Sequence, residues 1–235
     1  MEYNAGEKND RRIQMENYSV FDIIGPRMTG PSSSHTAGAV RLGYIARLII
    51  GGKIESVTFT LYGSFAETGR GHGTDKALIA GILGFSPDDQ RIRSAYKFAR
   101  DEGMSVDFVY SDEPADHPNT VRIEAVDVNG RRTEVVGRSV GGGNILITEI
   151  NGLPVEVTGD YPTIIIQHHD EPGVISDVAR VLSQLGVNIA NMKVFRRSRG
   201  DSNAFMCIET DERVTPEMKG ILMRLCPAVH ELMII

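Results

Sequence analysis

The composition of this 235-residue chain is that of an ordinary globular protein, and it excludes several classes of function. Hydrophobic residues make up 41% of the chain, charged residues make up 24%, and the formal net charge is −6. Such an acidic chain lacks the basic face that nucleic-acid-binding domains carry. We expect a cytoplasmic protein, because the sequence shows neither an apolar run of about 18 residues nor the pattern of a signal peptide.

The length favours two domains, of roughly 150 and 75 residues. We predict a polar tail over residues 1–17, disordered or tag-like, a first domain over residues 18–158 and a second domain over residues 161–235. The expected fold class is α+β throughout, because short predicted strands and helices are mixed in both domains.

A loop rich in glycine and proline precedes the first predicted helix. The loop and the start of the helix read GPRMTGPSSSHTAGA, over residues 25–39, and apolar residues then recur at helical spacing as far as Gly51. We predict a helix that begins at Ser33 or Ser34 and is capped by a serine hydroxyl from residues 32–34.

His35 and Thr36 then lie in the first turn of that helix. A helix N-terminus lowers the pKa of a nearby histidine and so favours the neutral imidazole that a general base needs. The alternative is a plain serine-capped helix with His35 exposed to solvent. The sequence leaves both open at this point.

A second concentration of polar residues follows a strand predicted over residues 54–62. The next segment, GSFAETGRGHGTDK over residues 63–76, is predicted to be a glycine-rich loop that leads into a helix over residues 75–84. Its acidic, basic and charged side chains are Glu67, Arg70, His72, Asp75 and Lys76. They indicate contacts with a ligand or partner, and the alternative is an exposed loop with its own ion pairs.

A run of three glycines separates two further predicted strands, over residues 132–138 and 145–149. The segment SVGGGN contains more glycine than a hairpin turn needs. Gly141 and Gly142 therefore either pack closely against another part of the protein or form a flexible turn. Three further histidines, His117, His168 and His169, have no partners at metal-ligand spacing, so we assign no metal site to this chain.

The last third of the chain predicts a βαββαβ order, which is the ferredoxin-like arrangement. A buried strand over residues 163–166 is followed by the turn DEPG and by a helix that Gly186 ends. Two strands, a helix opened by Thr215 and a final strand from Val229 complete the order. The Pro-Gly turn offers amide donors to a small anion such as an amino-acid carboxylate, and an ordinary β-to-α turn is the alternative.

The run DEPGVISDVARVLSQLGVNIANM resembles the amino-acid-binding signature of the ACT domain, over residues 161–235. The resemblance implies a regulatory domain whose ligand lies between paired domains, and thus a homodimer formed through them. Carried over residue by residue, the positions that contact the ligand are Gly173, Val174, Asn188 and Ile189.

Three motifs, GPSSSHTAGAVRLG, GRGHGTDKA and SVGGGNI, together resemble the β chain of the iron–sulfur L-serine dehydratase over residues 18–235. In that family a β domain likewise precedes an ACT domain. The resemblance implies a lyase that converts L-serine to pyruvate and ammonia, a reaction associated with gluconeogenesis. It also implies a separate α chain as the partner, in a heterotetramer.

By the same resemblance, a 4Fe–4S cluster acts on the substrate hydroxyl as a Lewis acid and is ligated by the α chain. Cys207 and Cys226 are too few for such a cluster, which takes about four thiolates. We interpret both cysteines as core residues.

Within this chain we expect His35 to be the base that removes the α-proton, and Ser33, Ser34 and Thr36 to hold the substrate carboxylate or to orient His35. The positions expected to form a loop at the substrate or the interface are Arg70, His72, Asp75, Gly141 and Gly142. Two alternatives remain. The active site is complete on the α chain and this surface only docks, or the whole chain is a serine sensor similar to the accessory domain of some phosphoglycerate dehydrogenases.

Overall fold

The structure, a computed structural model, describes residues 28–196, 198 and 200–235. The predicted tail over residues 1–17 and the first part of the glycine- and proline-rich loop lie outside this range. Among the described residues, no helix combines the length and the apolar character that a membrane span requires.

The first domain is a six-stranded sheet with helices packed on one face. Its elements are α1 (Ala39–Ile50), β1 (Ile54–Tyr62), α2 (Ser64–His72), α3 (Thr74–Ile82), a 3₁₀ turn (Gln90–Ser94), α4 (Ala95–Asp101), β2 (Ser105–Tyr110), β3 (Thr120–Asp127), β4 (Arg132–Gly141), β5 (Asn144–Ile150) and β6 (Leu153–Val157). The strand order is β2-β1-β3-β4-β5-β6, with β1 and β2 parallel and all other neighbours antiparallel. The predicted strands β1, β4 and β5 are confirmed, while β2, β3 and β6 were not predicted.

The prediction of a loop over residues 63–76 is wrong, because most of this segment is the helix α2. Gly63 has φ +52°, which turns the chain at the end of β1 and lets α2 begin at once. Phe65 is fully buried and anchors the first turn of α2 in the core. Burial of this aromatic side chain outweighs the low helix propensity of Gly69 and Gly71.

Two glycines set the distance between α1 and α3. A Cβ on Gly81 would lie 2.7 Å from the backbone N of Tyr44, and one on Gly43 would lie 3.0 Å from the backbone N of Ile82. Only glycine allows the two backbones to approach this closely. The contact therefore fixes α3 against α1 without an intervening side chain.

The second domain has the predicted ferredoxin-like order, and this fold class is confirmed. Its elements are β7 (Thr163–His169), α5 (Val174–Gln184), β8 (Ile189–Phe195), β9 (Asn203–Thr210), α6 (Pro216–Leu225) and β10 (Val229–Ile234). The sheet order is β10-β7-β9-β8, with all neighbours antiparallel. The strand predicted from Val187 begins two residues later, at Ile189, because Val187 and Asn188 still belong to the turn after α5.

The two domains share part of one core. Ile165 and Cys207, on the face of the second sheet away from its helices, pack with the buried residues of the first domain. Polar contacts join the same surfaces: the Thr158 hydroxyl donates to Glu209 (3.1 Å), and Lys193 forms an ion pair with Glu156.

We predict that Gly81→Ala destabilises the protein by at least about 2 kcal/mol, because the added methyl group overlaps the backbone of α1. Gly220 is the matched control, since it lies within α6 and a Cβ there would meet no atom within 4 Å. Gly220→Ala should stabilise by about 0.5–1 kcal/mol. Equal unfolding free energies of both variants in denaturant titrations would contradict the close helix contact.

Candidate functional site

The predicted first helix begins with a π-helical turn, Ser33–Gly38, which continues directly into α1. Ser32 caps it, because its hydroxyl accepts a hydrogen bond from the His35 N–H (3.2 Å) and its carbonyl accepts one from the Thr36 N–H (2.9 Å). The predicted start at Ser33 is confirmed. The π-helix is rare, appears mostly as a single turn within an α-helix, and is frequently found at functional sites.

His35 is only 8% exposed, so the alternative of a solvent-exposed histidine is wrong. Its ring is surrounded by hydroxyl groups. Nε2 lies 3.1 Å from the Thr68 hydroxyl and 3.4 Å from the Ser64 hydroxyl, and Nδ1 lies 3.4 Å from the Ser32 hydroxyl. These contacts hold the imidazole in one orientation.

His72 lies beside His35, with 4.9 Å between the ring centroids. Ser64, Thr68 and His72 are spaced by four residues on α2, so one face of this helix presents all three toward His35. Ser64 and Thr68 were not predicted from the sequence. Their spacing is the signal that could have found them, once the segment is recognised as helical.

The pKa of His35 is lowered from its usual value. Burial is the largest cause, because a charged imidazole loses its hydration there, and the neighbouring His72 lowers the pKa further. The Ser64 carbonyl opposes both effects. The lowered pKa favours the neutral imidazole, and burial is its largest cause.

The other hydroxyl residues of the turn differ in what surrounds them. Thr36 is 2% exposed, and its hydroxyl oxygen has no hydrogen-bond partner among the described residues. Gly38 packs directly on β4, where a Cβ would lie 2.8 Å from the Cβ of Ser139. Ser33 and Ser34 are partly exposed, and neither supplies the cap.

The third glycine run forms the hairpin between β4 and β5. Gly142 and Gly143 have φ of +61° and +87°, the two positive values that a type I′ turn requires. Arg41 of α1 donates to the Gly143 carbonyl (3.2 Å), so the hairpin packs on the helix that carries His35. Gly141 faces open space, because a Cβ there would meet no atom within 4 Å.

Arg70 and Asp75 contact tyrosines rather than the histidine pair. The Arg70 guanidinium lies 4.4 Å from the centre of the Tyr110 ring, and the Tyr96 hydroxyl donates to Asp75 (3.0 Å). Burial and the Asp75 charge raise the pKa of Tyr96. These residues form a polar cluster on the β2 side of α2 and α3.

The positions assigned to the second domain lie at opposite ends of its sheet. Gly173 and Val174 follow the end of β7, whereas Asn188 and Ile189 lie where β8 begins, at the end where β7 starts. Gly173 has φ +102° immediately before α5, and Val174 is buried. The Asn188 backbone N–H donates to Glu212 (2.7 Å), and its side-chain amide donates to Asp211 (2.6 Å). These donors of Asn188 are therefore occupied by carboxylates of the same chain.

The two cysteines do not fit an iron–sulfur cluster. Cys207 lies within β9, Cys226 follows α6, and both are free and buried. Burial, assisted by Glu209, raises the pKa of Cys207 to about 12, which disfavours the thiolate that iron requires. Over the described ranges, no group of three or more His, Cys, Asp and Glu side chains is arranged to hold a metal ion.

Comparison with known proteins gives two matching families. Residues 19–102 match the family described as serine dehydratase beta chain, and residues 162–227 match the ACT domain. The chain is 44% identical to a "Probable L-serine dehydratase, beta chain" of Bacillus subtilis, over 90% of this chain and 95% of that protein. It is 39% identical to an "L-serine dehydratase, beta chain" of Peptoniphilus asaccharolyticus, over 89% and 94%.

A more distant similarity extends to a protein of another name. The chain is 27% identical to a "D-3-phosphoglycerate dehydrogenase" of Synechocystis, over 80% of this chain but only 33% of that protein. The sensor alternative was based on similarity to the accessory domain of some phosphoglycerate dehydrogenases, and this match is to a protein of that name. Its identity is well below that of the two beta chains.

We predict that the ring protons of His35 titrate by NMR with a pKa below the usual 6.5, since burial disfavours the charged form. His72→Gln should raise that pKa, because it removes the neighbouring positive charge. His230→Gln, which changes an exposed histidine of the second domain, should leave it unchanged. A His35 pKa that is insensitive to His72→Gln would show that the two rings are not electrostatically coupled.

Proposed function

The chain belongs to the family of L-serine dehydratase beta chains, and we propose that it is the beta subunit of a two-chain L-serine ammonia-lyase. The reaction removes the α-proton and the β-hydroxyl of L-serine as water, and the resulting enamine is hydrolysed to pyruvate and ammonia. The observation that supports a catalytic role for this chain is the His35–His72 pair with its surrounding hydroxyl groups.

Removal of the α-proton requires a neutral base within reach of the substrate. His35 is held neutral by burial, and its two ring nitrogens lie near the Ser32 and Thr68 hydroxyls. His72 is the exposed member of the pair. We assign the base function to His35, with His72 beside it at the solvent side, where a substrate and a partner chain arrive.

The 4Fe–4S cluster is assigned to the partner α chain. Two buried cysteines in this chain do not fit such a cluster, whereas the family name of its relatives includes a beta chain and so implies a second one. When bound, the cluster supplies a Lewis acid for the substrate hydroxyl. We further propose a cytoplasmic heterotetramer in which ACT domains of two beta chains pair.

The alternative, a serine sensor without catalytic residues, has less support. A sensor does not need a buried histidine that is oriented by three hydroxyl groups beside a second histidine. The similarity to beta chains also extends over both domains. The second domain nevertheless adds a sensing function to the enzyme, because the Pro-Gly turn before α5 leaves the amides of the helix N-terminus without a capping side chain.

For amino-acid binding by the ACT domain we propose Gly173, Val174, Asn188 and Ile189. Because the first two and the last two lie at opposite ends of one sheet, a single ligand would contact Gly173 and Val174 of one chain and Asn188 and Ile189 of its paired chain. In the free chain the Asn188 donors are held by Asp211 and Glu212. A ligand carboxylate at Asn188 therefore has to displace these acidic side chains, and this exchange links ligand binding to the loop between β9 and α6.

We predict that His35→Ala, in the complex assembled with the α chain, lowers kcat by about 100-fold or more, the usual loss when a general base is removed. The measurement is pyruvate formation under anaerobic conditions, with the iron content matched to wild type. His230→Ala is the control, because it removes an exposed histidine far along the chain from the pair.

A docking role for this surface gives a different result. Complex assembly would then weaken in His35→Ala, while turnover per assembled complex would persist. A loss of kcat under about threefold would remove His35 from the mechanism and leave the base on His72 or on the α chain.

We also predict that Gly173→Val weakens binding of L-serine, measured by calorimetry, because φ of +102° is unfavourable for a β-branched residue. Gly186→Val is the matched control. It places the same residue at φ +73° after the other end of α5, with the same open surroundings. Similar weakening in both variants would indicate general destabilisation of the domain and would contradict a binding role for the turn.

A further inference from the structure

A cleft opens beside the histidine pair on the first domain. It has a volume of about 290 Å³, and its walls include Thr36, His72, Gly73, Lys76 and Arg93. This volume is near the lower end of the range for small-molecule sites, about 300–1,000 Å³. Larger cavities exist, such as one of about 480 Å³ near Arg47, but no histidine lines that cavity.

Two cations in the cleft have no carboxylate partner among residues 28–235 as far as the structure describes them. Neither Lys76 nor Arg93 forms an ion pair or a side-chain hydrogen bond within the described part of the chain. The acidic residue nearest to Lys76 in sequence, Asp75, accepts a hydrogen bond from Tyr96. The one nearest to Arg93, Asp89, pairs with Arg91. In a chain with a net charge of −6, two unpaired cations in one cleft mark a site for an external anion.

A buried hydroxyl group points to the same ligand. Thr36 lines the cleft, is 2% exposed, and has no hydrogen-bond partner for its hydroxyl oxygen among the described residues. A buried polar group without a hydrogen-bond partner lowers the stability of the fold, so a ligand that bonds to the Thr36 hydroxyl would remove this cost. Gly30 leaves room for the Thr36 side chain, because a Cβ on Gly30 would lie 2.6 Å from the Thr36 Cγ2.

The walls of the cleft are fixed by backbone contacts. The Thr29 N–H donates to the Pro87 carbonyl (2.9 Å), and the Thr29 hydroxyl donates to the Asp88 carbonyl (3.1 Å). These bonds hold the segment before the π-helical turn against the loop that leads to Arg93. The cations and the Thr36 hydroxyl thus belong to one assembled site.

We propose that Arg93 and Lys76, together with the Thr36 hydroxyl, bind the α-carboxylate of L-serine and so present its α-proton to the histidine pair. Arginine can bind a carboxylate through two parallel hydrogen bonds, while lysine adds a compact charge. His72 lies on the wall of the same cleft, so a carboxylate held there brings the α-carbon next to the pair. This assignment rests on the proposed function.

The test is steady-state kinetics of the assembled complex with Arg93→Gln and Lys76→Gln. Each should raise KM for L-serine by about tenfold or more and leave kcat within about threefold, because ground-state binding is lost and the base remains. Arg93→Lys should recover part of the affinity. Lys97→Gln is the control, since it removes an exposed charge on α4 that does not line the cleft.

Pyruvate provides a readout that does not depend on turnover, because it carries a carboxylate but neither the amino group nor the hydroxyl group. Calorimetry on the assembled complex should show at least about tenfold weaker pyruvate binding in Arg93→Gln than in wild type. A KM and a pyruvate affinity within twofold of wild type in both glutamine variants would overturn the carboxylate site. Full turnover by His35 and His72 variants would instead overturn the catalytic role of the pair, and absence of turnover by the wild-type complex would overturn the proposed function. Pyruvate binding would decide the cleft in either case.

Discussion

The close backbone contact between α1 and α3 is the constraint on which the site depends. Gly43 and Gly81 lie at this contact, and no side chain separates the two helices. The π-helical turn with His35 leads into α1, while α2 with His72 leads into α3 after one glycine. Fixing α1 against α3 therefore fixes the two histidines relative to each other, even though they are far apart in the sequence.

Small residues around the π-helical turn hold it close to the sheet. Gly30 leaves space for the Thr36 side chain, and Gly38 lets the turn rest directly on Ser139 of β4. A wider side chain at either position would push the turn away from the sheet and lift His35 out of its hydroxyl surroundings. Burial of the His35 ring lowers its pKa. The small residues that allow this burial therefore also favour the neutral form of His35.

Hydrophobic periodicity predicted the βαββαβ domain, the start of the first helix and the strand β1, because each depends on local pattern and on cap residues. It failed for α2. Gly69, Gly71 and His72 suggest a loop, and only the burial of Phe65 in a core formed by distant residues makes the segment helical. The hydrogen bond between Thr68 and His35 could not be predicted from the sequence either, since it requires both the helix α2 and the contact between α1 and α3.

Besides the shared core, a guanidinium of the first domain holds the segment that leads to the second domain. Arg41, on α1, contacts the Gly143 carbonyl, the Thr158 carbonyl and the Asp160 carboxylate at 3.2, 3.5 and 2.5 Å. The Thr158 hydroxyl in turn donates to Glu209 of β9, in the second domain. Because α1 also carries the turn with His35, Thr158 contacts both β9 and the helix that continues from this turn. The histidine pair and the second domain are thus mechanically connected through the segment between β6 and β7.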